Sequence, residues 1–150
     1  MKKIPPLVSV SVGALILAVV IYLTAISSTK PQIIASGELR IKPGLEEYAS
    51  ANKTIFLVIY SQNPDQRMPL AIVREPINIS SAGFIRKFSI TPEKLQRMMS
   101  NDPIPKVFKI KARLDRDGMG GPDKPGDIVS VLENVEFGSE DVKILFETKI

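Results

Sequence analysis

Cysteine, histidine and tryptophan are absent from this 150-residue chain. Without cysteine there is no disulfide framework, redox pair, thiolate metal site or thiol nucleophile. Without histidine the chain holds no Ser-His-Asp triad, no His-ligated haem and no HExxH zinc site. Charge of one sign is also in short supply: 20 basic and 16 acidic residues leave a formal net charge of +4. With no dense basic patch, that excludes a dedicated nucleic-acid binder. No internal repeat or low-complexity tract interrupts the chain. The chain as a whole is 44% hydrophobic and 24% charged, the balance of a folded protein.

One stretch has no charge at all. Leu7 to Ile26 is a run of 20 uncharged residues preceded by Lys2 and Lys3. As a helix it spans about 30 Å, the hydrocarbon thickness of a bilayer. The positive-inside bias puts the N-terminus in the cytoplasm and the rest outside, and Tyr22 suits the outer interface. The alternative is a cleaved signal peptide, with Ala25 and Ser27 as its small residues. Such apolar regions usually run about 7–15 residues, so the length favours an uncleaved anchor. The expected organisation is an anchor with a short cytoplasmic end over residues 1–29, a linker over 30–36 and an exported domain over 37–150. Inner-membrane, single-pass localisation with the domain in the periplasm follows.

Beyond the linker the pattern changes to short alternating runs separated by turn signals. Strands are predicted at Gly37–Ile41, Thr54–Tyr60, Leu70–Arg74, Phe84–Ile90, Phe108–Leu114, around Val129–Phe137, and at Val142–Phe146. Thr54–Tyr60 is apolar on both faces, as for a central strand covered on both sides. Val129, Val131, Val135 and Phe137 are predicted to share a face, broken at Glu133 by a bulge. Thr91-Pro92-Glu93-Lys94 carries helix-start signals, which predict one short helix to near Met99. About seven strands at this spacing predict an all-β, two-sheet sandwich.

Asp115 to Asp123 has the DxDG order of a calcium loop, but the twelfth position from Asp115 is Gly126 rather than a bidentate acid. It reads as a long turn between strands. Met68, Met98, Met99 and Met119 could offer thioethers to Cu(I), although core filling is their ordinary use. Lys109, Lys111 and Arg113 form a basic stripe, the ordinary form of which is a solvated sheet face. The paired acids Glu46-Glu47 and Glu140-Asp141 sit in loops without convergent geometry, so no enzyme is expected.

The order of several motifs resembles a known family. These are Ile55–Tyr60, then Met68-Pro69-Leu70-Ala71-Ile72-Val73-Arg74, then Phe88-Ser89-Ile90-Thr91, the Met98-Met99 pair, and Ala112-Arg113 followed by Gly126-Asp127. Together they resemble the C-terminal periplasmic Ig-like domain of the cytochrome c biogenesis protein CycH/CcmI family, over roughly Ser36 to Phe146. The resemblance implies an Ig-like β-sandwich that acts as a docking or accessory module among haem-lyase subunits in cytochrome c maturation. The family's second membrane helix and helical-repeat region have no counterpart here. Partner-binding residues are expected at Met68, Pro69, Arg74, Arg113 and Asp127. Arg113 with Asp127 reads equally as a salt bridge across the glycine-rich loop. No metal or cofactor is expected. The alternatives are a Met-based copper or haem chaperone and a general envelope structural protein.

Overall fold

Alternation of apolar and polar residues puts side chains on opposite faces of an extended chain. In the computed structural model, which describes residues 32–79, 85–98 and 103–150, those runs pair into two sheets. In chain order the strands are β1 (Ala35–Ile41), β2 (Thr54–Ser61), β3 (Ala71–Pro76), β4 (Ile85–Ile90), β5 (Gln96–Arg97), β6 (Val107–Asp115), β7 (Ile128–Glu136), β8 (Ser139–Phe146) and β9 (Thr148–Lys149). One sheet has the order β4-β1-β8 and the other β5-β3-β2-β6-β7-β9. The pair β1–β8 is parallel; the other pairings are antiparallel.

A single core lies between the sheets. The smaller sheet contributes Leu39, Ile41, Phe88, Ile90, Val142, Ile144 and Phe146, and the larger Ile55, Leu57, Ile59, Val73, Phe108, Ile110, Ala112, Leu114, Ile128 and Val135. Each fully buried Leu, Ile or Phe is worth about 1.5–3 kcal/mol. The seven long strands are those expected from the pattern. β1 starts at Ala35, two residues before the predicted Gly37. The anchor segment 7–26, Phe84 and Met99 lie outside the described residues. Among the described residues no helix is long and apolar enough to cross a membrane.

Two expectations are corrected. The helix predicted from Thr91 to Met99 is only a 3-10 turn over Pro92–Lys94, and Thr91 makes no side-chain cap bond. Leu95 is already extended, and Gln96–Arg97 pair with Ala71 and Ile72 at the edge of β3. So short a helix cannot offset its nucleation cost, whereas the β3 edge supplies waiting backbone partners. A one-turn helix, α1 (Glu46–Ala49), forms elsewhere; Glu46 accepts the Gly44 N–H at 2.7 Å.

The second correction concerns β7. Phe108 faces Val135 but Ile110 faces Leu132, so β7 carries an extra residue at Glu133-Asn134. Asn134 has φ +57. The bulge falls where Glu133 marked it, yet it also reverses the alternation. Ile128 and Leu132 point inward before it and Val135 after it, while Val131 and Phe137 are exposed.

Candidate functional site

Phe56, Val58 and Tyr60 occupy the face of β2 turned away from the core. Register places Arg74 and Arg113 on either side of Phe56, and Ile72 and Lys111 on either side of Val58. The guanidinium carbons of Arg113 and Arg74 stand 5.0 Å and 5.8 Å from the Phe56 ring centre, within cation–π range. Gly120 crosses above: a Cβ there would lie 3.9 Å from the ring. The loop thus covers Phe56, while Val58 and Tyr60 stay half-buried. This corrects the expectation that β2 is covered along both faces.

Next to the covered ring is a cleft of about 280 Å³ whose lining includes Val58, Tyr60, Pro69, Ile72 and Met98, together with Lys111, Arg113, Asp123 and the loop glycines. The cations of this face are largely neutralised internally. Lys109 pairs with Glu133 at 3.0 Å and Lys111 with Asp123 at 2.6 Å. Arg113, expected on a solvated stripe, is instead 5% exposed, enclosed between Phe56 and Val129. No carboxylate is paired with Arg74 among the described residues, and it is exposed.

Arg113 organises the loop that follows β6. Its Nη1 donates to the Gly121 carbonyl at 2.6 Å and approaches Asp123 at 3.4 Å. Nη2 reaches Asp115 at 3.0 Å. Nε lies 3.8 Å from Asp127, too far for a hydrogen bond, so that contact is Coulombic and Nε itself has no hydrogen-bond partner. Asp115 and Asp127 are each 2% exposed. Asp127 accepts the N–H groups of Lys124 and Arg116 at 2.9 Å and 3.3 Å, and Asp115 accepts that of Gly118. Below the loop, buried Asn52 donates from Nδ2 to the Leu114 and Gly126 carbonyls at 2.8 Å and 3.1 Å. Gly126 sits at φ +106 with Arg116 Cδ 3.1 Å from the place of a Cβ, a conformation that favours glycine.

The loop's acids are therefore bound to its own backbone and cations. Among the described residues no group of three His, Cys, Asp or Glu side chains could hold a metal ion. Burial pushes the Asp115 carboxyl up, against the opposing pull of the Gly118 N–H and Arg113. Asp117 moves the other way: hydrogen bonds from Lys124 and from the Met119 N–H take it down from 3.8 to about 2. Its ion pair with Lys124, at 2.6 Å, adds stability that is full above 3.8 and is lost as pH falls through about 2. Asp117→Asn should accordingly flatten the acid side of the stability profile. Urea midpoints compared between about pH 5 and about pH 2 measure this; a variant with the wild-type slope would refute it.

The structure brings Pro69, Arg74 and Arg113 together around Phe56, with Asp127 behind Arg113. Met68 is exposed on the β2–β3 loop, outside the lining of the cleft. The bridge between Arg113 and Asp127, one of the two readings of that pair, is present, and both residues are buried. Met68, Met98 and Met119 are all exposed, so core filling does not describe them. Sequence reasoning missed Val58, Tyr60, Ile72 and Met98 as cleft residues. The signal was the double-sided apolar run of β2 beside a strand reading Ile72-Val73-Arg74. No family model, curated protein or solved structure matches this chain.

Proposed function

We propose that the domain is a non-enzymatic, membrane-held docking module of Ig-like type. It would stand on the periplasmic side of the inner membrane and serve subunits of the haem-lyase assembly in cytochrome c maturation. One observation carries the docking reading: an apolar-floored cleft on a sheet face that water would otherwise cover. The outward face of an antiparallel sheet is normally polar, and clustered apolar groups there mark contact surfaces. At about 280 Å³ the cleft falls below the usual small-molecule range of about 300–1,000 Å³. It suits one or two apolar side chains of a partner. Arg74, at its margin, would take an acidic group beside them. Lys111, Arg113 and Asp123, the charged residues that line the cleft, are paired with one another, which favours binding over catalysis.

The seven long strands in two sheets and the MPLAIVR segment at the cleft support the Ig-like placement. The uncharged run at residues 7–26 behind Lys2 and Lys3 supports the location. Arg74→Glu and Ile72→Lys should each cut partner recovery in crosslinked membrane pull-downs about tenfold, which corresponds to about 1.4 kcal/mol, with the thermal midpoint kept. Normal recovery from both variants would refute the cleft as the docking face. Recovery of proteins unrelated to haem attachment would refute the maturation assignment alone.

A further inference from the structure

The end of the sandwich where the chain enters the fold carries exposed apolar side chains on a backbone that is fully tied down. Ile34 donates its N–H to Ile90 at 2.9 Å and accepts that of Gly138 at 2.8 Å; Phe137 donates to the Lys106 carbonyl at 2.8 Å. These bonds join the first residues of the domain to the β7–β8 turn and to the start of β6. Phe137 at 36% and Val107 at 40% exposure project there. With Ile104, Lys106 and Glu136 they line one shallow depression. An aromatic ring and a valine left in water on a hydrogen-bonded turn are an unusual expense for a fold that buries its other phenylalanines, among the described residues, at β-strand positions.

We infer that this end rests on a lipid surface, with Phe137 and Val107 entering the headgroup layer beside Lys106. The inference rests on the reading of residues 7–26 as an anchor, and chain length makes it specific. Five residues separate Ile26 from Gln32, and extended chain adds at most about 3.6 Å per residue, so Gln32 stays within about 20 Å of the end of the anchor. Lys106 and Glu136 offset one another there, so the apolar side chains are what would partition into a lipid interface, with the lysine stem free to snorkel beside them. The opposite end, with the glycine-rich loop and Met119, lies a full strand away, about 30 Å along the nine residues of β6. Contact at the first end would hold the cleft side-on to the membrane and limit the rotations lost when a second membrane subunit docks.

Absence of cysteine makes the test direct. Full-length chains carrying Val107→Cys, Phe137→Cys or Met119→Cys are each labelled with an environment-sensitive fluorophore. They are reconstituted in phosphatidylethanolamine–phosphatidylglycerol vesicles with and without a headgroup-proximal spin-labelled lipid. Labels at 107 and 137 should lose about half their emission to the spin-labelled lipid, as for groups about 5–10 Å into the interface, and the label at 119 almost none. If Phe137→Cys does not fold, Lys106→Cys replaces it. Equal quenching at all sites, or none at 107 and 137 in chains that float with the vesicles, overturns the surface contact and leaves the anchor standing. Chains that fail to float overturn both.

Discussion

Replacing Gly37 by alanine is expected to cost the domain about 3 kcal/mol or more and to split β1 from β8. A Cβ on Gly37 would stand 1.8 Å from the Val142 carbonyl oxygen, 2.6 Å from its carbon and 2.7 Å from its nitrogen. All three are backbone atoms, so no rotamer change relieves the overlap. The crowding has a local origin. Ala35 faces Ser139 but Gly37 faces Val142, so β8 has one residue more than β1 between those points and bulges toward it. Parting the strands would loosen Leu39 and Ile41 from Val142, Ile144 and Phe146, which together form most of the smaller sheet's inner face. Ser36→Ala is the matched control. It removes only a long 3.5 Å hydrogen bond to Glu140 and should cost no more than about 1 kcal/mol. Urea unfolding followed by circular dichroism reads both. Equal midpoints for Gly37→Ala and wild type would show that β1 and β8 can separate without loss.

Period-2 alternation was enough to place most of the long strands, because each of those has one face on the core and the other outside it, whereas β2 was legible as a continuous apolar run. Phe108, Ile110, Ala112 and Leu114 illustrate this: all four are fully buried, as their spacing requires. What alternation does not carry is pairing. The bulge at Glu133-Asn134 could be located from an acid in a valine run, but its effect on Val131 and Phe137 depends on register with β6. The helix signals at Thr91-Pro92 were sound as local chemistry, and a tertiary partner, the β3 edge, prevailed over them. The same holds for the cleft. Pro69, Arg74 and Arg113 could be singled out, yet their meeting around Phe56 comes from three strands aligned residue by residue. Arg113 looked solvated because its neighbours Lys109 and Lys111 are half-exposed. Its burial comes from flanking residues on β2 and β7 that lie far off in sequence.

Arg113→Ala is expected to cost about 3–5 kcal/mol, the effect of breaking a buried ion pair from one side. Asp115 and Asp127 would remain, each 2% exposed, with the cation between them gone. Arg113→Lys should not restore the wild type. A single ammonium cannot reach Gly121, Asp115 and Asp127 in the fan that the planar guanidinium spans. Arg113→Met separates charge from volume: it refills the slot against Phe56 and Val129 but leaves the carboxylates uncompensated. Its deficit should then depend on pH. The folded Asp115 carboxyl already lies above 3.8, and removing Arg113 moves it further up. The penalty is absent below the unfolded value of 3.8 and grows as pH rises through the folded value. Arg113→Met should therefore regain stability relative to wild type on acidification, and Asp115→Asn added to it should recover part of the loss at neutral pH. A deficit independent of pH, and unaffected by Asp115→Asn, would mean that packing against Phe56 matters more than charge. In either case the loop carrying Gly120 and Gly121 loses its clamp. One wall of the cleft would then open, and partner recovery should fall with Arg113→Met even where the fold survives.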